Sequence, residues 1–375
     1  MRLAVTGGGT GGHIYPAMAV AEYAIENIPG TSVLFVGSSS GPEGGAAGAA
    51  GLPFAGLDVE GVAGENPLKA FSALLKFRRA ARACRKILRD FGAECVLGTG
   101  GYASAPACSA ALRLEVPLIL HEMNHDPGLV TRLYGRRASR VALAYQETAG
   151  LLPARSATVV TGVPVRPAIG RLAVEETAAR LREEGMARFG LERSRATLLV
   201  FGGSQGARVL NESLWEALAE QAGRADLQVL HLVGRRDFRD ERTAGSARML
   251  AEGPLLYRPV EYLEAMELAY AVADLAVTRA GAGTLAELAV VGLPAVLVPF
   301  THAAGGHQER NARALEKTGA VKVAPEEGGS ARPGVELAFE AIGDPCVLKN
   351  MREAVRTSGL ADGAKGIISL IEEVT

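Results

Sequence analysis

Six short apolar runs punctuate the first half of the sequence, each closing in a turn and leading into a helical pattern. They are LAVT (3–6), SVLFVG (32–37), ECVLGTG (94–100), PLILHE (117–122), RVALAY (140–145) and ATVVTG (157–162). Runs this continuously apolar suit parallel strands buried on both faces, and the helical stretches between them make βαβ units. The series pauses at GVPVRPAIG (162–170), rich in Pro and Gly, and a charged helical stretch comes next at about 172–189. A second series then runs through ATLLVFGGSQG (196–206), LQVLHLVG (227–234), Leu255–Tyr257, DLAVTRAG (274–281), PAVLVPF (294–300) and AVKV (320–323). A chain of 375 residues exceeds one typical core. The pattern predicts an α/β protein of two doubly wound, Rossmann-like domains, 1–163 and 164–345, with one or two helices in 346–375. Ligands of such folds sit at the carboxyl ends of the strands, at topological switch points, which points to a cleft between the domains.

Composition narrows the partners. A formal net charge of −1 gives no global bias toward nucleic acid. The four cysteines (Cys84, Cys95, Cys108, Cys346) show no C-x-x-C spacing and read as small buried hydrophobes in a reducing cytosol. Residues 1–5 read as a first strand, not a signal peptide, and no apolar run reaches the roughly 18 residues that span a bilayer. Any membrane contact is therefore expected from the surface.

Four loops share the form strand, Gly-rich turn, helix: GGGTGGH (7–13), GTGGYASAP (98–106), GGSQGA (202–207) and RAGAGTLAE (279–287). Glycine lets the backbone turn tightly and lets a ligand approach the amides, while the helix N-terminus offers unpaired N–H groups to an anion. Two such loops per half predict a phosphorylated ligand in each domain. The first contains G-x-G-x-x-G, yet the second predicted strand ends Val36-Gly37-Ser38-Ser39-Ser40, without the acid that a dinucleotide's ribose requires. The loop also lacks the Gly-Lys-Ser/Thr of a nucleotide-triphosphate cradle. Its last glycine leads instead into His13, suited to proton transfer near neutral pH, or else a histidine capping a turn.

In the second half, Glu287 lies inside the helix after its loop, either in reach of ribose hydroxyls or as an ordinary helix-surface residue. HAAGGHQERNA (302–312) presents His307, Gln308 and Asn311, which suit a ligand rich in hydroxyls. No D-x-D or H-E-x-x-H motif occurs, so neither a diphosphate-bridging metal nor a zinc site is predicted.

Together GGGTGGHIYPA, LGTGGYASAP, HEMNHDPG (121–128), VVTGVPVRP, FGGSQGARVLN (201–211), RAGAGTLAE and HQERNA resemble the MurG family of bacterial N-acetylglucosaminyltransferases, in order and spacing, from residue 7 to about 312. The resemblance implies a GT-B fold with a C-terminal helix (346–375) returning to the first domain. It also implies an inverting, metal-independent transfer of GlcNAc from UDP-GlcNAc, a substrate and not a cofactor, to O4 of MurNAc in a polyprenyl-pyrophosphate-linked MurNAc-peptide. The site of action would be the cytoplasmic face of the plasma membrane, with other cell-wall synthesis proteins as partners. Carried over by position, Gly203, Ser204, Gln205 and Gly206 take the donor diphosphate and Leu263 pairs with uracil. Glu287 holds the ribose and Gln308 the GlcNAc, while Arg166, Asn211, Arg279, His307 and Asn311 complete the donor set. Gly8, Gly9, Thr10, Gly11, Gly12, Gly100 and Gly101 form the acceptor pyrophosphate site. Tyr102, His121 and Asn124 form the rest of the acceptor wall. His13 is the first candidate base and Glu122 the second. Met123, Val163 and His307 depart from the family's usual Gln, Asn and Gln.

The stretch 66–90 holds eight Lys or Arg between 69 and 89 and no acid before Asp90. Wound at about 100° per residue, Leu74, Phe77, Ala81, Cys84 and Leu88 share a core face. Phe71 and Leu75 instead extend the basic line of Arg78, Arg82, Arg85 and Arg89. That pattern fits an anionic membrane surface or a solvated basic face, and the lipid-linked acceptor favours the former. Rival readings are another GT-B lipid glycosyltransferase, a UDP-GlcNAc 2-epimerase, a UDP-sugar sensor and an NAD oxidoreductase. The first should lack the loops at 7–13 and 98–102, and the second the basic helix. The sensor should lack a base such as His13, and the missing ribose acid disfavours the last.

Overall fold

The computed structural model describes residues 1–9, 11–59, 67–203, 206–251, 253–300, 306–357 and 362–375, the side chains of 67–72 and 357 excepted. Two compact units emerge: Met1–Pro167 with Ala361–Thr375, and Ala168–Leu360.

In the first unit the strands are β1 (Arg2–Thr6), β2 (Ser32–Ser38), β3 (Phe54–Leu57), β4 (Cys95–Gly98), β5 (Leu118–Glu122), β6 (Arg140–Leu143) and β7 (Thr158–Val160). They form one parallel sheet ordered β3-β2-β1-β4-β5-β6-β7. The second unit holds β8 (Ala196–Phe201), β9 (Leu227–Leu232), β10 (Leu256–Val260), β11 (Leu275–Thr278), β12 (Ala295–Leu297) and β13 (Val321–Val323), parallel in the order β10-β9-β8-β11-β12-β13. The expected α/β class and both strand series are therefore present. The central strands are buried on both faces, Leu3, Val5, Leu97, Leu198 and Val200 all at 0% exposure, which is why they read as unbroken apolar runs. Strand β3 escaped the sequence reading because it is a short edge strand, half-exposed and interrupted by Gly56.

In each sheet the order reverses beside the first strand, between β1 and β4 and between β8 and β11. The four glycine loops come directly after these four strands, so each unit carries two of them at its own switch point.

The unit boundary falls after Pro167 rather than after residue 163. The expected return of 346–375 to the first unit also needs correcting. Helix Pro345–Thr357 stays with the second unit, where Met351 joins the core and the Arg352 guanidinium donates to the Asp274 carboxylate at 2.9 Å. Only helix Ala364–Glu372 joins the first unit, laying Ile367, Ile368, Leu370 and Ile371 into the core beneath α1 (Gly11–Asn27). Its entry is fixed by Asp362, which bridges Val163 and accepts from the Val165 amide at 3.1 Å.

Three cysteines are buried as expected, and burial pushes the Cys84, Cys95 and Cys108 thiols up to about 12. Cys346 is exposed instead. In α3 (Pro67–Phe91) the inward line is Ala80, Ala81, Cys84 and Leu88. Leu74, expected in the core, is exposed together with Leu75, Arg78 and Arg82, because the helix passes the edge of the core one turn before Ala80. The side chain of Phe71 lies outside the described residues.

Candidate active site

In the first unit the loops after β1 and β4 are tied to each other. The Gly8 amide donates to the Gly100 carbonyl at 3.3 Å, and Thr99 Oγ1 donates to the His13 carbonyl at 2.6 Å. His13, in the first turn of α1, lies across this junction with Nδ1 2.9 Å from the Thr99 carbonyl oxygen. A carbonyl only accepts, so Nδ1 carries the hydrogen and the neutral ring keeps its basic lone pair on Nε2. Glycine is required around the ring. Gly101 has φ 77° and ψ 156°, a conformation essentially confined to glycine. A Cβ there would overlap the Gly8 carbonyl and stand 3.1 Å from His13 Cδ2, while one at Gly100 would stand 3.0 Å from His13 Cε1. Gly11 and Gly12 open α1, where the first amides of a helix lack intrahelical partners. Tyr102 is exposed beside Gly9, and Thr10 lies outside the described residues.

Two of the predicted acceptor residues have a different occupation. His121 is 1% exposed and donates from Nε2 to the Gly162 carbonyl at 3.1 Å. Burial pushes its pKa down to about 4. It is thus a neutral ring beneath the site and not part of a ligand-facing wall. Glu122 is equally enclosed, at 3% exposure. Its Oε1 accepts from the Asn124 amide (3.1 Å) and side chain (3.2 Å), and its Oε2 from the Gly128 amide (2.8 Å) and Thr131 hydroxyl (2.7 Å). A carboxylate with about four lone-pair directions so filled is an anchor for the loop and for α4 (Leu129–Tyr134), not a free base. Asn124 is half-buried within that anchor.

In the first unit, one residue had no place in the sequence reading at all. Glu43, at the start of α2 (Glu43–Ala49), is fully buried, and its Oε1 accepts from the Gly9 amide at 2.8 Å. A carboxylate does reach the first glycine loop, but five residues past the end of β2 and directed at the backbone. The signal was a Glu in the Gly-rich SSGPEGG stretch, where no periodicity marks it as buried.

In the second unit Gly203 and Gly206 have φ of 86° and 76°, and the Gly206 amide closes a turn onto the Gly203 carbonyl at 3.0 Å. A Cβ on Gly203 would meet open space, so the left-handed backbone and not crowding selects glycine there. Ser204 and Gln205 lie outside the described residues. Helix Arg208–Glu220 starts directly behind the turn. Glu287, on helix Ala282–Val291, accepts from the Tyr270 hydroxyl at 2.7 Å. Tyr270 is 2% exposed and was not anticipated. The Gln308 side-chain oxygen accepts from the Phe300 amide at 2.9 Å. His307 is half-buried at the start of the same helix, and Leu263 is 6% exposed.

Four donor-set residues have partners of their own within the fold. Asn211 is wholly buried: its side chain donates to the Val233 carbonyl (2.9 Å) and Asp237 (3.0 Å) and accepts from His231 Nε2 (3.0 Å). It lies on the inward face of its helix with Leu210 and Leu214. Asn311, 1% exposed, is buried beside Ala312 and Leu315. Arg279 is 9% exposed, held by an ion pair to Glu326 at 2.5 Å and by the Val298 carbonyl at 3.1 Å. Arg166 belongs to the first unit, its guanidinium 5.3 Å from the centre of the Tyr15 ring.

Two Rossmann-type sheets in one chain, each with paired glycine loops at its switch point, make up the GT-B fold. Residues 3–143 match the glycosyltransferase family 28 N-terminal domain and residues 197–365 its C-terminal domain. The UDP-N-acetylglucosamine–N-acetylmuramyl-(pentapeptide) pyrophosphoryl-undecaprenol N-acetylglucosamine transferase of Halothermothrix orenii is 38% identical, with 100% of this chain and 99% of the relative covered. The Bacillus subtilis enzyme of the same name is 30% identical over 100% of this chain and 99% of its own. A crystal structure of Acinetobacter baumannii MurG superimposes with a TM-score of 0.75 at 26% identity, covering 99% of each chain. The chain belongs to this family, the MurG N-acetylglucosaminyltransferases. A Neisseria meningitidis UDP-GlcNAc 2-epimerase shares the fold, with a TM-score of 0.67 at 13% identity.

Proposed function

We propose that this enzyme transfers GlcNAc from UDP-GlcNAc to O4 of the MurNAc sugar in a polyprenyl-pyrophosphoryl MurNAc-peptide, with inversion and without a metal. The observation that carries this reading is the first unit's own pair of glycine loops, closed around His13. A nucleotide-sugar enzyme without a phosphorylated acceptor has no need of them. In the proposed reaction Nε2 of His13 removes the proton from the acceptor hydroxyl as that oxygen attacks the sugar C1. The bond from C1 to the UDP oxygen breaks on the opposite face. The charge arriving on UDP is taken by the Gly203–Gly206 turn and the helix behind it, amides and dipole serving where a cation could. Glu287, held by Tyr270, receives the ribose hydroxyls, and the Gln308 amide donates to the sugar.

The acceptor is lipid-linked, and we infer peripheral attachment at the cytoplasmic membrane face. Among the described residues no helix is long and apolar enough to cross a membrane. Exposed Leu75 on α3 lies beside Arg78 and Arg82, and on α4 Leu129 and Leu133 are 71% and 60% exposed beside exposed Arg132, Arg136 and Arg137. Apolar side chains among cations are suited to anionic lipid. The test supplies labelled UDP-GlcNAc and a lipid-linked MurNAc-peptide in the presence of a chelator. Label in the lipid product with release of UDP supports the reading, and no transfer to that acceptor refutes it.

A further inference from the structure

Glu43 has no place in the transfer chemistry, yet its surroundings are costly to build. It is 0% exposed, and its Oε2 is buried with no hydrogen-bond partner among the described residues. A carboxylate withdrawn from water with half its acceptor capacity unmet destabilises a fold. Three glycines, one in the first glycine loop and two in the stretch leading into Glu43, make room for it. A Cβ at Gly8 or at Gly41 would overlap its carboxylate oxygens, and one at Gly37 would lie 2.9 Å from its Cβ. The single hydrogen bond shown for the carboxylate runs to the Gly9 amide, at 2.8 Å. Gly9 has φ 87°, a backbone state that needs an external hold to be unique in a run of glycines.

We propose that Glu43 is a positioning residue for acceptor binding. By drawing the Gly9 amide inward it sets the course of residues 7–9, so that the amides opening α1, and the Nε2 side of His13, meet the acceptor diphosphate and sugar in one fixed arrangement. The proposal rests on the reading of loops 7–13 and 98–102 as the acceptor diphosphate site. What matters in it is the reach of the side chain, since the Gly9 bond needs an oxygen at that distance. The amide of Gly9 is consequently not one of the donors to phosphate.

The test pairs Glu43→Asp, which keeps the charge but withdraws the oxygen by one methylene, with Glu43→Gln, which keeps an oxygen at the same reach. Glu43→Asp should raise KM for the lipid-linked acceptor roughly tenfold or more, the effect of losing one hydrogen bond to a charged group. KM for UDP-GlcNAc should not change. Amide exchange at Gly9 should accelerate in the Asp variant, and Glu43→Gln should restore both the protection and most of the acceptor affinity. An acceptor KM within twofold of the parent in Glu43→Asp overturns the proposal. So does an equal rise in both KM values, or a Gln variant as defective as the Asp one. Gly101→Ala, assayed alongside, separates the two readings. If it raises acceptor KM and Glu43→Asp does not, only the anchor falls; if neither does, the diphosphate reading falls as well.

Discussion

An alanine at Gly101 asks whether the shape of the two acceptor loops carries the binding assigned to them. The backbone there, φ 77° and ψ 156°, is open to glycine alone, and forcing a side chain into it costs about 1–3 kcal/mol. The new Cβ would also overlap the Gly8 carbonyl oxygen, whereas a carbon and an oxygen settle at about 3.3 Å or more. Since both partners are backbone, the loops must part by roughly 1 Å, stretching the 3.3 Å Gly8–Gly100 bond and tilting the His13 ring. A displacement of that size at a reacting group costs on the order of 10²-fold in rate. We therefore expect kcat/KM for the lipid-linked acceptor to fall about a hundredfold and unfolding stability to fall by about 1–3 kcal/mol. The dissociation constant for UDP should be unchanged, because the donor turn belongs to the other unit. Initial rates over a range of acceptor concentrations, with calorimetric titration of UDP on the same preparation, give all three quantities. A folded Gly101→Ala enzyme that retains kcat/KM within threefold would show that the loops do not hold the acceptor by their shape.

Removing the Tyr270 hydroxyl (Tyr270→Phe) frees the Glu287 carboxylate from its 2.7 Å bond. KM for UDP-GlcNAc should rise about three- to tenfold with acceptor KM unchanged, and steady-state kinetics in both substrates would show an error as equal effects on the two. Burial pushes the pKa of His121 down to about 4 and that of His231 down to about 3, both below the ordinary value, so the unfolded chain takes up protons first. Stability should accordingly drop as pH falls from about 6.5 toward 4, by up to about 1.4 kcal/mol per pH unit for each ring. Identical urea midpoints at pH 6.5 and 5 would contradict this. Replacing Leu75, Leu129 and Leu133 together by Ser should weaken binding to vesicles rich in anionic lipid by at least about tenfold, with transfer to a detergent-solubilised acceptor retained. Unchanged vesicle sedimentation would rule out these leucines as the membrane-facing surface.

Strands buried on both faces announced themselves as apolar runs, and the glycine loops announced the switch points, so the fold and the position of His13 were legible in the sequence. Direction was not. Asn211, Asn311 and Arg279 are polar residues in or beside Gly-rich motifs, and nothing local distinguishes a side chain turned to a ligand from one turned into a buried network. The Glu122 anchor gathers donors from three later positions, and the Glu43 bond closes over 34 residues of chain. Both are products of tertiary packing, to which periodicity is blind. Leu74 failed for a related reason: helical spacing gives the face, but not where along its length a helix leaves the core.

In the proposed mechanism everything turns on Nε2 of His13, which takes the proton of the attacking hydroxyl while the Thr99 carbonyl fixes its tautomer. Single-turnover transfer from UDP-GlcNAc to the lipid-linked acceptor, measured from pH 5.5 to 9 in the parent enzyme and in His13→Ala, decides this. The parent rate should rise with pH as the base loses its proton. In the variant the rate should fall by about 10²–10⁴-fold, and that limb should vanish while UDP binding persists. A variant within tenfold of the parent, with the same pH profile, would exclude His13 as the base.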